Sequence, residues 1–239
     1  MKKEKITAII LAAGQGKRMN SAVQKQYLLL QGHPVLYYAI KAFEESCVDN
    51  IILVTGAEEV EYCQREIVDK YSFRKVQQIV AGGKERYHSV YEGLQRARES
   101  DYVLIHDGAR PFVTKEIIER TLEGAKIYGA SIAGMPAKDT IKIADENGFS
   151  GFTPERSKVW MIQTPQTFSY TLIYEAYHKL IAEEKKGQNI SVTDDAMVLE
   201  TMSGKPTKLV EGSYENIKIT TPSDLQIAEA FIQNMVTIQ

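Results

Sequence analysis

The sequence predicts an α/β fold, with a mainly parallel sheet covered by helices on both faces. Three observations carry that prediction. Short apolar, β-rich runs recur along the chain: "ITAIIL" (6–11), "NIILVT" (50–55), "VQQIV" (76–80), "YVLIH" (102–106) and "ASIAG" (130–134). Segments with apolar residues at three- and four-residue steps lie between them, at 34–46, 58–71, 88–99 and 115–128, and this alternation implies βαβ crossovers. The strand runs are nearly continuous in apolar residues instead of alternating, which is the pattern of strands buried on both sides.

The remaining elements follow in chain order. From Met135 to Trp160 short strand-like pieces surround the turn "DENG", which reads as a hairpin-like excursion, a surface lid or a dimerisation arm. The α/β pattern returns with "MIQTPQTF", a helix at roughly 170–186 and a further helix in "VTDDAMVLETM". There Thr193 is the expected N-cap, with Asp194 and Asp195 in the first turn, where the helix dipole favours them as much as a site role would. "NIKITTPSDLQIAEAFI" is expected to close the chain as a strand followed by a helix, with Thr221 as N-cap and Pro222 at the first position. No linker, repeat or low-complexity tract interrupts the chain, so a single domain over 1–239 with an arm at about 135–160 is the simplest organisation.

Composition limits what such a domain can bind. The 239 residues are 44% hydrophobic, enough for a substantial core. A net charge of −2, from 29 basic and 31 acidic side chains, argues against bulk capture of nucleic acid or an anionic membrane, so neither is expected as a partner. The apolar run after the basic N-terminus is too short for a signal peptide or a span, and a cytoplasmic protein is expected. The two cysteines, Cys47 and Cys63, lack metal-ligand spacing and are expected to be buried or half-buried free thiols.

In a parallel sheet the ligand site lies beyond the carboxyl ends of the strands. Three glycine-bearing, charged turns follow those ends: "AAGQGKRM", "AGGKERYHS" and "HDGARP". The first fits neither common nucleotide fingerprint. Met19 stands where a dinucleotide turn needs its third small residue, and Leu11 and Arg18 occupy positions at which a Walker loop needs Gly and Ser or Thr. What remains is a strand, a glycine turn and two cations, a geometry that lets backbone N–H groups and positive charge approach a phosphorylated ligand.

Eight stretches in this order resemble the cytidylyltransferase family of the non-mevalonate isoprenoid pathway along essentially the whole chain: "LAAGQGKRM", "KQYL", "GGKERYHSV", "HDGARP", "KDTIK", "QTPQTF", "VTDDA" and "NIKITTPSDL". The resemblance implies a Rossmann-like nucleotidyltransferase fold with a β-hairpin dimerisation arm. It implies transfer of a cytidylyl group from CTP to 2-C-methyl-D-erythritol 4-phosphate, by in-line attack of the substrate phosphate on the α-phosphorus with release of pyrophosphate. The chemistry requires fixed cations where charge develops; Arg18, Lys25 and Lys218 match the family's cationic positions.

Nucleotide contacts are expected from Ala12, Ala13, Gly14, Gly16, Gly82, Gly83, Ser89, Asp107 and Gly108. Contacts to the sugar-alcohol phosphate are expected from Arg110, Thr140, Arg156 and Thr193, with Arg156 reaching from the arm into the partner's site of a homodimer. Asp107 is the expected Mg²⁺ ligand, because that ion takes one or two carboxylates and completes its shell with phosphate and water. His106 is expected to be a packed residue, since an ionised phosphate attacks without a general base. Three positions depart from the family pattern: Gln24 stands where proline is frequent, Glu215 where many relatives carry Asp, and Lys84 where some are acidic.

Rival readings are a ribitol-5-phosphate cytidylyltransferase of teichoic acid synthesis and a non-catalytic nucleotide-binding protein. The joint presence of Arg18, Lys25, Asp107 and Lys218 argues against the second. A glycosyltransferase of related architecture would carry an Asp-x-Asp motif, of which "HDGAR" has only the first acid.

Overall fold

The computed structural model describes residues 3–14 and 23–237. Gly16 and Arg18 lie outside the described residues.

Among the described residues, seven strands form one sheet in the order β11-β7-β10-β6-β1-β4-β5. Its centre is β1 (Ile6–Ala12), flanked by β4 (Asn50–Thr55) and β6 (Tyr102–Asp107), both parallel to it. β5 (Val76–Ala81) continues the parallel array on one side. On the other, β10 (Trp160–Ser169) runs antiparallel between β6 and β7 (Ala130–Pro136), and β11 (Lys208–Glu211) pairs parallel with β7. The chain travels from β1 through β4 to β5, then crosses back to β6 on the far side of β1. The crevice beyond the ends of β1 and β6 is therefore the topological switch point where an open α/β sheet binds its ligand.

The continuity of the apolar runs has its expected cause. Ala8 and Ile10 of β1 face one core with Leu36, Ile40 and Phe43 from α1 (Val35–Glu44). Ile9 faces the other with Val90 and Leu94 from α3 (Arg86–Arg96) and with Tyr177 from α5 (Tyr170–Lys185). All of these are fully buried. Each large side chain so buried contributes about 1.5–3 kcal/mol, which makes the pattern decisive over local propensity. The 115–128 expectation is α4 (Lys115–Tyr128), capped by the Thr114 hydroxyl accepting from Ile117 N and ended by Gly129 at φ 83°. A third cluster, of Leu30, Val35, Phe112, Ile219 and Ala228, seats α7 (Pro222–Thr237) on the end of the sheet. No helix of the described residues is long and apolar enough to cross a membrane.

Four expectations need correction. Residues 58–71 do not form one α-helix: a 3-10 turn at Ala57–Glu59 leads into α2 (Val60–Tyr62) and a π segment at Cys63–Asp69. The wider turns, with Lys70 N bonded to Arg65 O, bring Cys63, Ile67 and Val68 inward together. "NIKIT" is not a strand; Ile219 N donating to Ala109 O and Asn216 O accepting from Arg110 tie its backbone beside the sheet, and the side chain of Asn216 bonds to Thr164 O. The N-cap of α6 (Asp195–Ser203) is Asp194 instead of Thr193, because its extended backbone lets the carboxylate accept from Met197 N at 2.9 Å. Cys63 is buried as expected, whereas Cys47 is exposed; both thiols are free.

The excursion after β7 carries β8 (Ile143–Ala144) and β9 (Ser150–Phe152), paired antiparallel. Asp145 makes the turn: its Oδ1 accepts from Asn147 N and Phe149 N, both at 2.9 Å.

Candidate active site

The first and second glycine turns meet through their smallest residues. A Cβ on Gly82 would lie 2.5 Å from Ser89 Oγ and 2.8 Å from Ala13 Cβ, so only glycine lets these two loops close against each other. Gly83 N donates to that hydroxyl at 3.1 Å. The third turn, after β6, is pinned by Gly108 N donating to Leu11 O at 2.8 Å, and a Cβ there would strike Leu36. Gly82 and Gly108 are thus the backing of the site. Ala12, Ala13, Gly14, Gly83, Ser89 and Lys25 line a cavity of about 700 Å³ in front of it, with Asp107 and Lys218 on its far wall.

A second cavity of about 250 Å³ adjoins the first. Arg110, Thr193 and Gln163 line it, and it shares Arg86, Asp107 and Lys218 with the larger one. Those three side chains form a common wall. Asp107, 8% exposed, receives Lys218 Nζ on Oδ2 at 2.7 Å; Arg110 Nε stands 3.9 Å from the same oxygen and Arg86 Nε 3.4 Å from Oδ1. Burial opposes ionisation of this carboxyl, yet Arg86, Lys218 and Arg110 together hold it well below the usual carboxylate range. Asp107 is an anion throughout the physiological range.

Arg86, to which the sequence assigns no role within "GGKERYHSV", is central to the wall. Its Nη1 and Nη2 meet the two oxygens of Asp195 at 2.8 Å each, while Tyr177 donates its hydroxyl to Asp195 Oδ1 at 2.5 Å. Gln166 Oε1 accepts from the backbone N–H of Asp195 and Ala196, and its Nε2 donates to Asp194. The sequence signals were the acidic pair and the arginine after the double glycine, but nothing in their spacing joined residues 109 apart. Asp194 therefore caps a helix and Asp195, fully buried, pairs with the site arginine.

His106 is packed as expected. Its ring lies 3.1 Å from Thr164 Oγ1 and 3.2 Å from Arg110 O, and burial lowers its pKa to about 4, so it is neutral and fully committed. Lys218 is set by the segment before it: Asn216, wholly buried, donates to Thr164 O at 2.9 Å and Gln163 Oε1 at 3.2 Å, while its own carbonyl accepts from Arg110 Nη1 at 2.7 Å. Thr140 and Arg156 are not brought to either cavity within this chain. Both are exposed on the arm, where Arg156 donates to Lys138 O at 3.3 Å. Lys84 is exposed on the rim of the large cavity, and Glu215 is exposed away from it.

The model of a family described as 2-C-methyl-D-erythritol 4-phosphate cytidylyltransferase matches residues 6–234. A protein of that name from Lachnoclostridium phytofermentans is 50% identical over 230 residues, 96% of this chain and 97% of its own. Another, from Clostridium botulinum strain Eklund 17B, is 51% identical, over 95% of this chain and 99% of its own. Among solved structures, 4-diphosphocytidyl-2C-methyl-D-erythritol synthase of Anaerococcus prevotii superposes with a TM-score of 0.83 at 36% identity, covering 96% of each chain.

Proposed function

The chain belongs to the 2-C-methyl-D-erythritol 4-phosphate cytidylyltransferase family and transfers a cytidylyl group from CTP to that sugar-alcohol phosphate; from this premise we propose how its two cavities divide the work. The larger takes CTP, with the base and ribose against Ala12, Ala13, Gly14, Gly83 and Ser89. The smaller takes the sugar-alcohol phosphate, with Arg110 and Thr193 as its contacts. The observation that carries this reading is the wall of Arg86, Asp107 and Lys218 common to both. With the substrates assigned in this way, the attacking phosphate oxygen and the α-phosphorus meet at one boundary, which is the positioning an in-line displacement requires.

The attacking phosphate is already ionised at neutral pH, so the neutral His106 behind the wall has no proton to take. Negative charge that grows on the α-phosphoryl oxygens meets Lys25 from one side and Lys218 from the other, fixed donors that need no reorganisation. Arg18 is assigned the same task, and Gly16 a place among the nucleotide contacts, from the family resemblance alone.

Mg²⁺ fits this site as an ion that arrives with the triphosphate. Among the described residues no group of three His, Cys, Asp or Glu side chains could cage a metal, while Asp107 offers one permanently ionised carboxylate at the cavity boundary. Bound there, the ion would neutralise phosphoryl charge. The enzyme is assigned to the cytoplasm as a homodimer, with Thr140 and Arg156 of each arm completing the partner's smaller cavity.

The test is pyrophosphate release from CTP and Mg²⁺ with 2-C-methyl-D-erythritol 4-phosphate or ribitol 5-phosphate. Release with the first alone is expected. Release with the second alone would move the chain to teichoic acid chemistry, and silence with both despite CTP binding would refute the assignment of the cavities.

A further inference from the structure

We infer that Gln26 is the positioning residue for Lys25: its buried amide fastens the lysine's turn to the carbonyls of the first glycine turn, so that the two move as one piece. The inference rests on the role given to Lys25 above.

Lys25 opens a 3-10 turn of three residues, Lys25–Tyr27. A turn this short cannot hold its own orientation, since it closes too few hydrogen bonds to offset the conformational freedom it gives up. Its direction must come from neighbours, and the next residue supplies them. Gln26 is 2% exposed, and its Nε2 lies 2.6 Å from Ala12 O, 3.1 Å from Gly14 O and 2.6 Å from Gln24 Oε1. Two amide hydrogens serve three acceptors, so the Gly14 carbonyl shares one of them. Ala12 is the last residue of β1 and is in register with Thr55 of β4. The amide thereby refers Lys25 to the central strand of the sheet.

The outer side of the turn is held as well. Gln24 has φ −64° and ψ 141°, the backbone that a proline ring would impose. In this chain side-chain bonds replace the ring: Gln24 Oε1 accepts from Gln26, and Gln24 Nε2 donates to Glu59 Oε1 at 2.5 Å. Tyr27 continues the anchorage with its hydroxyl 3.2 Å from Cys63 Sγ. The π segment that carries Cys63 inward thus meets the same turn.

A double-mutant cycle on the full-length enzyme tests the inference, with pyrophosphate release read at saturating substrates together with the KM for CTP. K25A is expected to lower kcat roughly 100-fold, the cost of one transition-state charge. Q26L is expected to lower kcat roughly 30-fold, with the KM for CTP within about threefold, since a displacement near 1 Å has that scale of effect. In the K25A background Q26L should change kcat by less than about twofold, because there is no longer a cation to misplace. An equal loss in both backgrounds, or an unchanged kcat for Q26L alone, would overturn the inference while leaving Lys25 in its role. An unchanged kcat for K25A would overturn both. Glu59→Ala, at a half-buried position outside the glycine turns, provides a second handle should Q26L fail to fold. Its kcat should fall about threefold and only when Lys25 is present; no fall would overturn the tether.

Discussion

Around Asp107 each charge meets a counter-charge inside the same fold, whereas the hairpin of the arm meets mainly itself. Asp107, Arg86, Asp195 and Lys218 come from four separate parts of the chain and are joined by contacts of 2.7–3.4 Å. On the arm, Ile143, Phe149 and Phe152 are 53%, 73% and 62% exposed, and the loop's bonds are local, such as Lys142 Nζ to Thr153 Oγ1. The contrast shows where each region's order originates. The wall is preformed by this chain's core, while the arm presents apolar surface that only a second surface can bury, which suits the homodimer assigned to it.

Breaking the wall should have the largest effect. Asp107→Asn removes the anion that Arg86, Arg110 and Lys218 share, leaving Arg86 its pair with Asp195, and is expected to lower kcat by at least about 1000-fold. It should also cost roughly 2 kcal/mol of stability, less than a fully buried pair because two of the cations are about a third exposed. The folded carboxyl titrates below its unfolded value, so its stabilising contribution is complete above about pH 4 and declines as the pH falls further. Melting temperatures of the wild type and D107N should therefore differ at pH 7 and converge below pH 4; a constant difference would refute the ion-pair account.

Lys218→Ala comes next. A kcat loss of roughly 100- to 1000-fold with the KM for CTP within about threefold is expected, because the charge acts as the reaction proceeds and not on binding. An effect confined to KM would remove Lys218 from the catalytic set.

The arm should give the smallest effect and the sharpest comparison. Arg156→Ala is expected to raise the KM for the sugar phosphate about tenfold at unchanged CTP affinity, with no measurable change in melting temperature. If the arm serves the partner's site, mixing R156A with K218A forms heterodimers in which one site is intact, and about a quarter of all sites should regain wild-type kinetics. No recovery on subunit exchange would return Arg156 to its own chain.

What was legible in the sequence follows the same division. β1, β4, β6 and β7 were readable because burial on both faces leaves unbroken apolar runs, whereas the edge strand β5, with Gln77 and Gln78 exposed, was readable from its β-branched residues and the double glycine after it; the turns announced the site through glycine and charge. β11 and the pairing of Arg86 with Asp195 were not. "KLVE" is four residues at the sheet's edge, and a contact between residues 109 apart leaves no local trace. "NIKIT" was read as a strand from its alternation, which is real, since Ile219 is buried and Lys218 faces the cavities. The alternation describes an extended backbone, however, and not the partner that a ladder requires. The π segment was equally hidden, because the same apolar spacing suits an α-helix until Cys63 must reach Tyr27.

The shared wall has a consequence for inhibition. Two cavities that share Arg86, Asp107 and Lys218 can be covered by one molecule that spans both. Its second half binds at the effective concentration set by the tether and not at that of free solution, so two weak fragments joined across this boundary would gain affinity without any new contact.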